Sequence, residues 1–131
     1  MSRRIQTYRR MAFLEQSGRC FYCTAKMWLT HPEHFASWYG LREREARRFK
    51  CTAEHLVARS DGGPNARTNI VAACWFCNSR RHRMANAPKA SAYRRRVLKR
   101  LVTDRWHPHR YRHLLASNGF AGPERHAVDA G

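Results

Sequence analysis

Two Cys-x-x-Cys pairs, Cys20 with Cys23 and Cys74 with Cys77, bracket the centre of a 131-residue chain that has little else to hold it together. Leu, Ile, Val and Phe number only 21, and 17 of the apolar residues are alanines. So low an aliphatic content beside a high net charge falls in the range where chains stay unfolded. Such a chain folds only if something besides aliphatic burial ties it, and a bound metal is the usual device. Paired knuckles in a chain without a secretory leader read as zinc ligands rather than disulfides, with four buried free thiols as the bland alternative. Cys51 is left over and reads as a small strand hydrophobe.

Charge narrows the partner. Lys and Arg number 26 against 9 Asp and Glu, for a formal charge of +17. Of the 26, 22 are arginines, whose planar forks grip phosphate bidentately where an ammonium acts as a point charge. This balance points to a polyanion, most simply nucleic acid. No apolar run approaches the roughly 18 residues of a membrane span. The longest near the N-terminus, Met11 to Leu14, is too short for a signal peptide, so a cytoplasmic location is expected.

Along the chain, Ile5, Tyr8, Met11 and Leu14 keep helical spacing within residues 3–16, and Gly18 stops that helix. Residues 30–49 open with a His31-Pro32 turn and end in the mixed-charge run 41–48, read as a short exposed helix. Strands are expected at 50–55 and 69–73, around the loop Ser60-Asp61-Gly62-Gly63-Pro64-Asn65. A helix over about 76–84 follows, then another opening at Ser91 with Tyr93, Val97, Leu98, Leu101 and Val102 on one face. The reading is one domain over 1–118 with its core at about 20–87, and a flexible tail over 119–131.

The informative stretch is Glu54-His55, the Gly62-Gly63 loop, Asn69, and Cys74-Trp75-Phe76-Cys77-Asn78 followed by Arg80, Arg81, His82 and Arg83. Here the sequence resembles the HNH nuclease family, in its branch with a four-cysteine zinc site. The resemblance runs from about Cys20 to His82, although the segment between Cys23 and Cys51 matches only by bracketing. It implies an α+β fold, with a small ββα-metal core, a structural zinc knuckle and flanking basic helices. It implies His55 as general base, Asn69 as the residue tying the loop and orienting that base, and Glu54, Asn78 and His82 as ligands of a catalytic metal. Two positions depart from the pattern: Glu54 stands where many members have Asp, and Ala58 where Pro is common.

The residue types suit the chemistry. Phosphodiester hydrolysis needs a water made nucleophilic and a cation on the phosphate. A neutral imidazole beside a loop can take that proton near pH 7. A carboxylate, an amide oxygen and an imidazole leave open positions on a metal, with Asn78 and His82 four apart on one helix face. The expectation is therefore an endonuclease nicking or cleaving double-stranded DNA, with Mg²⁺ or Mn²⁺ ahead of Zn²⁺ or Ni²⁺ as catalytic ion and a structural Zn²⁺ besides. Arg59, Arg80, Arg81 and Arg83 are the expected DNA contacts, and no membrane or small-molecule substrate is expected. The alternative is a zinc-stabilised nucleic-acid-binding module with a vestigial site. Trp75, inside the second knuckle, is expected to cover the zinc. The stretch 106–113, with His107, His109 and His113, is read as a basic aromatic surface, a second metal site being the rival.

Overall fold

A computed structural model describes residues 1–116; the expected tail at 119–131 lies outside them. The first helix, α1 (Arg3–Glu15), opens on Ser2, whose hydroxyl accepts the Ile5 amide N–H at 3.2 Å. Two left-handed residues, Ser17 and Gly18, turn the chain into the first knuckle. A helix not expected from the sequence, α2 (Pro32–Tyr39), follows, with Pro32 at its start and left-handed Gly40 at its end. The charged run then forms only one turn of helix, α3 (Glu43–Ala46), continued as 3₁₀ through Phe49.

The centre of the fold is a two-stranded antiparallel sheet, β1 (Cys51–His55) and β2 (Ile70–Cys74), in the register Cys51 to Cys74 and His55 to Ile70. Helix α4 (Trp75–Arg83) begins directly after β2, with Cys74 as its N-cap. The last long helix, α5 (Ala90–Val102), has Lys89 rather than Ser91 as its N-cap and buries Tyr93 and Val97. The architecture is thus mixed: helices around one short hairpin, with a cysteine cluster at its base. Among the described residues, no helix is long and apolar enough to cross a membrane.

What fills the interior accounts for the low aliphatic count. Among the described residues, Ile5, Ile70, Val97 and Leu114 are the buried branched aliphatics; cysteines, alanines and the rings of Tyr22, Phe35, Phe49, Tyr93, Trp106 and Tyr111 supply most of the rest. Alanines suit the sheet because α1 lies close on it. Gln16, just past the end of α1, hydrogen-bonds both the carbonyl and the amide of Ala72 at 2.8 and 2.9 Å. Together with the Phe21 amide, which donates to the same Ala72 carbonyl at 2.9 Å, it covers the outer edge of β2.

The stretch 106–113 differs from its reading as a surface. Trp106, His107 and Tyr111 are buried, and residues 109–114 form a 3₁₀ helix. His109 pairs with Asp104 at 3.0 Å while His113 meets the Tyr39 carbonyl at 2.9 Å, so the two histidines turn to different partners. Their four-residue spacing brings side chains together on an α-helix, not on the tighter 3₁₀ turn found here.

Candidate active site

The knuckles meet as expected. Cys20, Cys23, Cys74 and Cys77 are fully buried, and their sulfur atoms all lie within 4.8 Å of one another. Cys23 Sγ and Cys74 Sγ are 3.8 Å apart, about the edge of a tetrahedron built on Zn–S bonds of roughly 2.3 Å. The amides of Tyr22, Cys23 and Cys74 point at Cys20 Sγ, and that of Cys77 at Cys74 Sγ. Such donors favour thiolate, as does the start of α4 beneath the cluster. Burial raises the Cys23 and Cys77 thiols; at Cys20 burial works in the same direction, but sulfur hydrogen bonds from three neighbours outweigh it and hold that thiol well below its usual value. The donor set therefore fits one tetrahedral metal ion. Trp106, not Trp75, covers it: the Trp106 indole N–H donates to Cys77 Sγ at 3.3 Å, while Trp75 is 39% exposed. Cys51 is buried outside the cluster, and burial pushes its thiol up to about 12.

Above the cluster, β1 presents Glu54 and His55 in succession, and adjacent strand residues leave on opposite sides. Glu54 turns inward and is 1% exposed. Its Oε2 accepts hydrogen bonds from the Tyr22 hydroxyl at 2.8 Å and Arg81 Nη1 at 2.9 Å. Its Oε1 faces His82 Nε2 at 2.9 Å. One oxygen is thus taken up by the interior, and the other stands beside an imidazole at the surface. Asn78, one turn before His82 on α4, donates from Nδ2 to Thr52 Oγ1 at 2.9 Å. Its Oδ1 has no hydrogen-bond partner among the described residues. A carboxylate oxygen, an imidazole nitrogen and an amide oxygen on neighbouring elements suit a divalent cation with mixed O and N ligands.

Arg81 has a different place from the one expected of a DNA contact. It is 3% exposed, and its guanidinium binds Glu54, the Tyr22 hydroxyl and the carbonyls of His55, Leu56 and Pro88. Each nitrogen of its fork has a partner inside the protein, and burial keeps it from phosphate. A buried carboxylate needs a paired cation, and a helix residue facing β1 supplies it. Tyr22, packed inside the first knuckle, shares the same carboxylate oxygen; burial first, then the charge of Glu54, raises its phenol. Arg59, Arg80 and Arg83, by contrast, are exposed.

His55 stands at the strand end, half-buried, with Nε2 2.8 Å from Asn65 Oδ1. With Asn65 turned this way its oxygen can only accept, so Nε2 carries the hydrogen and Nδ1 is left as the basic nitrogen. The loop bearing Asn65 is held by Asn69, whose side chain accepts the Val57 amide at 2.9 Å and donates to the carbonyls of Val57 and Pro64. Two glycines let it close. Gly62 is left-handed at φ +85°, and a Cβ on Gly63 would fall 1.7 Å from the Val57 carbonyl oxygen.

Tyr22 and Asn65 were not among the residues singled out in the sequence. Tyr22 carries a faint signal, a polar-tipped ring inside a metal knuckle; Asn65 reads as an ordinary turn former. No curated protein and no solved structure matches the chain. Residues 42–84, about a third of its length, match the family model described as HNH endonuclease, and they hold β1, the loop, β2 and α4. That central segment is similar to the HNH endonuclease family, and the Glu54–His55 strand and the Asn78–His82 helix both lie within the matched residues.

Proposed function

We propose that the chain is a metal-dependent endonuclease that hydrolyses phosphodiester bonds in double-stranded DNA, with His55 as general base. The observation that carries this reading is the division of Glu54: Oε2 bound inside by Tyr22 and Arg81, Oε1 left beside His82, one residue from an imidazole with a free basic nitrogen. A module that only bound nucleic acid would have no use for a buried acid so held next to that histidine.

In this reading Glu54, Asn78 and His82 hold a divalent cation, and the four cysteines hold a structural zinc. The cation, when bound, stabilises charge on the scissile phosphate and the leaving oxygen. His55 Nδ1 takes a proton from the attacking water as its oxygen bonds to phosphorus and the P–O ester bond breaks. The leaving sugar oxygen takes a proton from solvent water to depart as the alcohol, and His55 returns its own proton to solvent. Asn65 keeps the imidazole in the tautomer that presents Nδ1, and Asn69 keeps Asn65 within reach. Arg81 and Tyr22 fix the carboxylate, so that Oε1 needs no rearrangement when a cation arrives. Exposed Arg59, Arg80 and Arg83 draw the polyanion to this part of the molecule; phosphate contacts position the duplex without reading sequence.

Supercoiled plasmid incubated with Mg²⁺, Mn²⁺, Zn²⁺ or Ni²⁺ tests the proposal. Conversion to nicked or linear circles with at least one of these ions, and none without, is expected. Plasmid left intact by all four would favour the binding-module alternative.

A further inference from the structure

The arginines of α4 divide between its two faces. At roughly 100° per residue, Asn78, Arg81 and His82 share the face towards β1, and Arg80 and Arg83 fall on the opposite one. There they meet α5, which lies outside the family-matched segment. Between the two helices runs an open groove of about 340 Å³, lined by Arg80 and Arg83 on one wall, Arg96 and Arg100 on the other, with Tyr93 and Trp106 behind. All four arginines are exposed, and among the described residues none of them is in an ion pair. Arg80 is already steered: its guanidinium lies 5.4 Å from the Trp106 ring and 5.6 Å from that of Phe76. Arg96 and Arg100 are about one helical turn apart, roughly 6 Å along the axis.

Four guanidinium groups facing one groove repel one another unless an anion lies between them. Planar forks with an ordered aromatic backing favour phosphate over a simple counter-ion. We infer that this groove is a second phosphate-binding site, which holds the sugar–phosphate backbone of duplex DNA on the far side of α4 from Glu54 and His55. Helix α4 with its side chains is about 10–12 Å across, close to the roughly 12 Å of a B-DNA major groove. One face can therefore address a scissile phosphate while the other grips backbone across the groove. The inference takes duplex DNA as partner from the proposed function, but it does not depend on catalysis.

The test measures binding rather than cutting. Fluorescence anisotropy with a labelled duplex is run over a range of salt on the His55→Ala chain without added divalent metal, so that cutting is suppressed and no chelator reaches the thiol site. Arg96→Ala/Arg100→Ala is compared with Arg95→Ala/Lys99→Ala, which removes the same charge from exposed positions of the same helix outside the groove. Each lost phosphate contact lowers the log–log salt slope by about 0.9. The groove pair should flatten the slope by about 2 and weaken binding at every sequence, while the control pair moves it by less than about half a unit. Arg96→Lys/Arg100→Lys should recover part of the affinity, since charge returns without the fork. Equal effects from both alanine pairs would reduce the groove to diffuse attraction and overturn the site. An effect confined to an RNA duplex or heparin would also overturn it. Failure of plasmid cleavage with the groove effect intact would instead count against the nuclease reading alone.

Discussion

Arg81 Nη1 lies 2.9 Å from Glu54 Oε2, and neither side chain reaches water. This ion pair joins α4 to β1 at the level of the site, and Tyr22 carries the same contact down into the thiol cluster. The metal knuckle, the acid and the helix are therefore one connected piece rather than neighbouring motifs.

Arg80 and Arg81 are adjacent in sequence and should behave oppositely when truncated. Arg81→Ala leaves Glu54 charged, buried and unpaired, a situation that typically costs about 3–5 kcal/mol. Urea denaturation should show that loss. Arg80→Ala, at an exposed position, should leave the midpoint within about 0.5 kcal/mol of wild type while weakening DNA binding. Equal stabilities for the two variants would contradict the burial of Arg81.

One zinc per chain is expected by elemental analysis, and Cys74→Ser should leave a largely unfolded protein, because four aliphatic core residues cannot carry the fold alone. Thiolate ligands protonate in acid, so zinc affinity should fall as pH falls. A chain free of zinc with full thermal stability would refute this.

His107 gives a separate acid signature. Burial first, and then the Arg48 guanidinium 3.0 Å from its Nδ1, hold its imidazole down at about 3. The unfolded chain binds this proton near pH 6.5 and the folded chain does not, so its contribution is whole above about 6.5 and is lost as pH falls towards 3. The slope it adds is up to about 1.4 kcal/mol per pH unit. Urea stabilities of wild type should therefore drop more steeply between pH 6.5 and 4 than those of His107→Phe. Parallel pH profiles would mean that His107 is not shielded from water.

Asn65→Ala removes one hydrogen bond to the base. Net bonds of this kind are worth about 0.5–1.5 kcal/mol, so kcat should fall by up to roughly tenfold with KM little changed. Gly63→Ala should do more harm, because its Cβ meets backbone, not a side chain that can swing away. An Asn65→Ala enzyme as fast as wild type would remove the positioning role.

Much of this arrangement is legible in the chain itself. Turn formers and knuckle spacing place the hairpin and α4 within a residue or two, and the Glu54–His55 pair announces the site. Legibility ends where tertiary context decides. Arg81 is one of four basic residues in a row, and nothing local says which of them turns inward; the answer is the position of Glu54 across the interface. Trp106 and His107 sit in a stretch with the composition of a surface, yet the scarcity of aliphatics draws their rings into the core. Helix α2 was hidden because His31-Pro32 reads equally well as a turn and as a helix start.

The central claim, that His55 is the base of a phosphodiesterase, is tested most directly by the nicking rate of His55→Ala on supercoiled plasmid with excess divalent metal. Loss of a general base typically costs about 10² to 10⁴ in rate. The variant should keep its zinc, its stability and its plasmid affinity while nicking at least a hundredfold more slowly, and further metal should not restore the rate. Cleavage by His55→Ala at the wild-type rate would contradict the account.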